Sequence, residues 1–86
     1  MVSVAKAFLL LETEEEIERF LFDILTPEEK KAIEMRWEIA KALFEDKEPY
    51  LKIAEQVKTS TTTVTRVNRF LKAEKSGYKL ALDRIK

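Results

Sequence analysis

The sequence predicts an all-α bundle of five to six helices, and three observations carry that prediction. Apolar residues recur at helical spacing in every segment, with no period-2 alternation to support a strand. Helix breakers are scarce, with one Gly and two Pro against 37% charged residues. Helix-start signals of the form Ser/Thr followed three residues later by Glu, or Thr-Pro followed by acids, fall at intervals along the chain.

The elements follow in order. VAKAFLLL, residues 4–11, reads as an apolar helix with no obvious partner in so small a chain. Thr13-Glu14-Glu15-Glu16 has the capping-box form, in which Thr13 accepts the N–H three residues on and Glu16 reaches back. It opens a helix whose buried stripe is Ile17, Phe20, Leu21 and Ile24. Thr26-Pro27-Glu28-Glu29 starts the next, with Pro27 at the first helical position and the acids facing the positive end of the helix dipole. This long helix is expected to bury Ile33, Trp37, Ala40, Leu43 and Phe44 and to end near Asp46. Pro49 begins a short helix with Tyr50, Ile53, Ala54 and Val57 on its apolar face. Lys58-Thr59-Ser60 interrupts the pattern, and a second apolar set, Val64, Val67, Phe70 and Leu71, begins at once. Ser76-Gly77 is a flexible joint leading to a last short helix with Tyr78, Leu80, Leu82 and Ile85. Residues 1–86 are expected to form a single domain, and one core of that size is only marginally stable, so assembly into a dimer would help.

Composition narrows the chemistry. There is no Cys, hence no disulfide or thiolate, and no His, the usual general base and commonest metal ligand. Trp37 and the Phe residues lie at core spacing, and Glu14, Glu15, Glu16 and Glu18 read as a solvated helix face rather than a metal or catalytic cluster. No enzyme, cofactor or metal is expected. No apolar run approaches the roughly 20 residues that span a bilayer, and Ala7–Leu11 is too short for a signal-peptide core, so the expected location is cytoplasmic. The net charge of zero conceals an asymmetry: residues 1–57 carry 8 basic and 14 acidic side chains, residues 58–86 carry 8 and 2. The excess of positive charge begins at residue 58. Folded with that segment outward, the chain presents a basic face to phosphates.

Residues 49–72 therefore read as a helix–turn–helix that binds double-stranded DNA. The second helix opens on Ser60, Thr61, Thr62, Thr63 and Thr65, with Arg66, Arg69 and Lys72 following. Hydroxyls and methyls suit base edges, and cations suit phosphates or guanines. Four Thr in five positions disfavour a helix, because β-branched side chains lose rotamers there. Such a run is easier to understand on a surface with a ligand. The competing reading is a helical protein–protein interaction or dimerisation module without DNA binding. That surface would favour exposed aromatics or Leu, whereas this one exposes Thr and Arg.

Leu25-Thr26-Pro27-Glu28-Glu29, then Arg36, then Ile53-Ala54-Glu55, then Thr63-Val64-Thr65-Arg66 resemble the Trp repressor superfamily in order and spacing. The tail Lys75-Ser76-Gly77-Tyr78-Lys79-Leu80-Ala81-Leu82-Asp83 resembles its small Trp-repressor-like branch, the YerC/YecD type. The resemblance implies an intertwined homodimer in which the amino-terminal helices of two chains wrap one another, giving residues 4–11 a partner. It implies two-fold-related recognition helices in successive major grooves and a transcriptional regulator, specifically a repressor. Thr61, Thr62, Thr63 and Thr65 occupy the family's base-edge and nearby positions, Ser60 begins the segment expected to enter the groove, and Lys72 falls on a phosphate-contacting Lys. Leu51 replaces a phosphate-binding Arg, for which its neighbour Lys52 is the expected substitute. Arg36 and Arg66 match the two arginines that clasp the corepressor. Val67 and Phe70 replace a Gly and a Ser beside that ligand and are expected to fill its pocket, so L-tryptophan is not expected to bind. Lys58 stands where the turn usually has Gly, which implies a looser or altered turn.

Overall fold

A computed structural model describes residues 2–45 and 48–85. Among them are six α-helices and no strand: α1 (Val4–Leu10), α2 (Glu14–Ile24), α3 (Pro27–Glu45), α4 (Tyr50–Val57), α5 (Thr61–Leu71) and α6 (Gly77–Ile85). The chain divides into two compact units, Met1–Ala32 and Ile33–Lys86. The expected end of α3 near Asp46 lies outside the described residues, and the helix is described to Glu45.

Helix starts in the first unit are set by side-chain caps. Ser3 Oγ accepts the Lys6 N–H at 3.0 Å, opening α1. Thr13 Oγ1 accepts the Glu16 N–H at 3.1 Å, as the sequence predicts. Glu16 reaches back one residue further than a standard capping box, because its Oε1 accepts the N–H of Glu12 at 2.7 Å. At α3 the box is complete: Thr26 Oγ1 accepts from Glu29 N at 3.2 Å, and Glu29 Oε1 accepts from Thr26 N at 2.9 Å. Phe8 and Phe20 meet edge-to-face with ring centroids 5.2 Å apart, joining α1 to α2, and Lys30 Nζ pairs with Glu18 at 3.2 Å.

This unit nevertheless has no buried residue in α1 or α2. The expected stripe of Ile17, Phe20 and Leu21 is half-buried, and Ile24 is exposed. Leu9 and Phe22 stand 78% and 77% exposed. Two short amphipathic helices offer each other too little surface to close a core.

The second unit contains the core. Ile39 and Ala40 of α3, Ile53 and Ala54 of α4, Val64, Val67 and Leu71 of α5, and Leu82 of α6 are buried, with Trp37, Leu43, Phe44, Val57 and Tyr78 packed around them. No polar side chain is buried among the described residues. Fully burying a Val or Ile contributes about 1.5–3 kcal/mol, so eight mostly small aliphatic residues make a thin core for a chain of this length. The α3 stripe differs from expectation at two positions. Ile33, two turns before Ala40, is exposed, and Ile39 is fully buried. Apolar residues occur on more than one side of α3, so periodicity alone picks the wrong member. Tyr50, Leu80 and Ile85, expected on apolar faces, are exposed too. Ser76-Gly77 is a capped helix start rather than a flexible joint. Ser76 Oγ accepts the Lys79 N–H at 3.1 Å, and Gly77 does not use the positive φ open to glycine.

Candidate nucleic-acid interface

The geometry of the interface begins at the turn between α4 and α5. Lys58 adopts φ 59° and ψ 52°, the left-handed conformation in which glycine is usual. It is the sole non-glycine residue with positive φ among the described residues. Thr59 N donates to Ala54 O at 2.9 Å and Lys58 N to Glu55 O at 3.3 Å, the paired bonds of a Schellman motif. The turn is thus neither loose nor altered by the absence of glycine. Lys58 takes the left-handed conformation at a cost of roughly 1 kcal/mol, offset by these bonds closing the end of α4.

One residue later, Ser60 caps α5. Its Oγ accepts the Thr63 N–H at 3.2 Å and lies 3.2 Å from Thr63 Oγ1. The helix is then held from below by Val64, Val67 and Leu71, which are buried against α4 and α6. With that stripe inward, the outward face is determined. Thr61, Thr62, Thr65, Arg66 and Arg69 are exposed, as are Ser60 and Lys72 at the two caps and Lys52 on α4. Thr62, Thr65 and Arg69, spaced i, i+3 and i+7, form the centre of that face, opposite the buried stripe. Arg69 Cζ lies 5.5 Å from the centroid of the adjacent Phe70 ring. Thr63 is set apart: it is half-buried, its hydroxyl faces Ser60, and it borders a cleft on the side of the helix.

That cleft has a volume of about 700 Å³ and is lined from α3, α5 and the start of α6. Arg36 and Arg66, paired by the sequence resemblance, do line one space, together with Lys75, Trp37, Phe70 and Tyr78. Phe70 departs from the expectation that it joins the core, because it is 49% exposed and forms a wall of the cleft. Seven residues from Thr63 on a helix, Phe70 returns to nearly the same side and not to the buried stripe of Val64, Val67 and Leu71. Val67, as expected, is buried. The contributions of Lys75 and Tyr78 escaped the sequence reading. Both lie in the tail string singled out for its resemblance, but only the packing of α6 on α5 brings them to Arg66.

A family model, Trp repressor protein, matches residues 1–86, the whole chain. The chain belongs to the Trp repressor family. A curated relative, the uncharacterized protein YerC of Bacillus subtilis, is 38% identical over 80 residues, covering 93% of this chain and 76% of its own length. Family membership supports the coarse reading of a helix–turn–helix DNA-binding regulator, and α4, the Lys58 turn and α5 have the form that reading needs. No helix among the described residues is long and apolar enough to cross a membrane.

Proposed function

We propose that the chain is a sequence-specific regulator of transcription, a repressor that binds double-stranded DNA as a homodimer. The observation that carries this reading is the outward face of α5. A capped helix following a Schellman turn presents Thr61, Thr62, Thr65, Arg66 and Arg69 to solvent, with Lys72 exposed at its end, Lys52 exposed on α4 and no exposed carboxylate on α5. The first turns of α5 enter the major groove, where Thr61, Thr62 and Thr65 meet base edges. Ser60 and Thr63 hold the helix start against the groove wall, and Arg66, Arg69, Lys72 and Lys52 bind phosphates. Occupation of a promoter by such a dimer blocks its use.

The homodimer is supported by the first unit. Its exposed Leu9, Leu10 and Phe22 and the absence of any buried residue in α1 and α2 leave apolar surface that a second copy would cover. Residues 1–86 then act as one DNA-binding domain in each half of a two-fold assembly, located in the cytoplasm. Val67 and Phe70 do not fill the space beside Arg36 and Arg66 but line it, and DNA binding without L-tryptophan rests on their replacing the Gly and Ser of the resemblance.

Selection from a randomised duplex pool at near-physiological salt, with no ligand added, tests the proposal. Enrichment of a two-fold motif with half-sites about one helical turn apart is the expected result. A folded, dimeric protein that enriches nothing would favour the protein-interaction reading instead.

A further inference from the structure

Resting on that DNA-binding reading, we infer that Thr62 and Thr65 are the specificity-determining residues, and that they recognise the C5-methyl groups of thymines in each half-site. The argument starts from which side chains of α5 are free to reach a base. Thr63 is half-buried with its hydroxyl against Ser60. Among the described residues, no side-chain hydrogen bond engages Thr62 or Thr65, and both are exposed at the centre of the outward face. They also lie in the first two turns of the helix, the part that approaches base edges in a helix–turn–helix.

The chemistry of that face is selective by what it lacks. Adenine is read in the major groove by Asn or Gln and cytosine by Asp or Glu. The exposed residues of α5 are Thr, Arg and Phe alone, and its single amide, Asn68, is half-buried. No group on this face is therefore dedicated to adenine or cytosine. A threonine hydroxyl donates or accepts and so tolerates any base, whereas its methyl makes a favourable contact with one major-groove feature, the thymine methyl. Two threonines one turn apart, at i and i+3, thus give a half-site whose contacted strand is rich in thymine. Arg66 and Arg69 bind phosphates, or a guanine elsewhere in the half-site, and neither recognises a thymine methyl.

The test uses wild-type protein and the duplex it selects. Each half-site thymine is replaced singly by deoxyuridine, which removes the methyl and leaves pairing and phosphates unchanged. Affinity is expected to fall about fourfold at one or two positions per half-site, the equivalent of one buried methyl, and about 15-fold when both half-sites are changed. Thr62→Ser and Thr65→Ser keep the hydroxyl and the exposed position but lose the methyl. Because a homodimer carries the change in both half-sites, each is expected to lower affinity for the thymine duplex about 15-fold and to abolish the deoxyuridine penalty at the position it reads. Tight binding that is indifferent to every deoxyuridine substitution overturns the inference while leaving the DNA-binding reading intact. A penalty that persists unchanged in both serine variants overturns the assignment to these residues. Failure of the wild-type protein to select any duplex overturns the DNA-binding reading, and this inference with it.

Discussion

Ser60 Oγ lies 3.2 Å from Thr63 Oγ1 and 3.2 Å from the Thr63 backbone nitrogen, so one hydroxyl caps α5 and also orients the threonine that borders the cleft. Four threonines in the first five positions of α5 look equivalent in the sequence. This pair separates them into one that holds the helix and three that face outward.

The cap is expected to contribute measurably to stability. Ser60→Ala leaves the Thr63 N–H without its side-chain acceptor and should destabilise the protein by about 1 kcal/mol. Chemical denaturation should show this as a lower midpoint at unchanged slope, and Ser60→Asp should restore it. An Ala variant as stable as wild type would mean that water replaces the cap without loss.

Lys58 offers a test of the turn in both directions. Its φ of 59° is natural for glycine and unfavourable for an L side chain. Lys58→Gly should therefore hold or raise stability, by at most about 1 kcal/mol, while Lys58→Val should lower it by more than that, because a β-branched side chain fits this conformation poorly. Equal stability of the two variants would show that the turn rearranges.

Arg66 and Thr62 are expected to fail differently. Arg66→Ala should weaken binding to all duplexes to a similar extent and reduce the slope of log affinity against log salt by about one unit. Thr62→Ala should leave that slope alone and change the preferred sequence. An Arg66→Ala protein with unchanged affinity would mean that α5 approaches DNA on another side.

L-Tryptophan is expected not to bind. Calorimetric titration should give no saturable heat, because Val67 and Phe70 replace the Gly and Ser of the resemblance and so reshape the lining of a cleft that itself stays open beside Arg36 and Arg66. Phe70 is exposed, so Phe70→Ser should be folded and is the variant with which to ask whether the ring is the obstacle. Micromolar affinity in the wild-type protein would overturn the expectation.

Phe22 probes the apolar surface of the first unit. Replacing this exposed ring by Glu introduces a charge into the surface that a second copy would cover. Sedimentation should report a shift from dimer towards monomer, and the thermal midpoint should lose its dependence on protein concentration. A dimer unaffected by Phe22→Glu would place the interface elsewhere.

Much of the architecture was legible because it is written locally. Thr13 announces the start of α2 and Thr26-Pro27-Glu28-Glu29 that of α3 by spacing alone, and the interruption at Lys58-Thr59-Ser60 marks where α5 begins, since a cap involves residues three apart. The buried positions of α4 and α5 all followed from one clear apolar stripe, although Tyr50 and Phe70, expected on it, are exposed. Ile33 and Ile39 were misplaced because α3 is apolar on several sides, and which side is covered depends on where α4, α5 and α6 lie. Phe70 was misjudged for a related reason: its spacing fits the stripe loosely, and hydrophobicity does not reveal that this side of α5 opens onto a cleft.

The sequence by itself determined that the chain is helical, where α4 and α5 begin and end, and that α5 carries hydroxyls and cations on faces other than its apolar one. These properties arise from periodicity, capping and charge, all set by residues within about two turns of each other. Only the tertiary structure decided that Lys58 closes a Schellman turn without glycine, that Thr63 turns towards Ser60 while Thr62 and Thr65 turn outward, and that Lys75 and Tyr78 join Arg36 and Arg66 around one cleft. The outward turn of Thr62 and Thr65 and the assembly of the cleft depend on how α3, α5 and α6 pack, because burying Val64, Val67 and Leu71 orients α5 and thereby determines what its other side chains can reach.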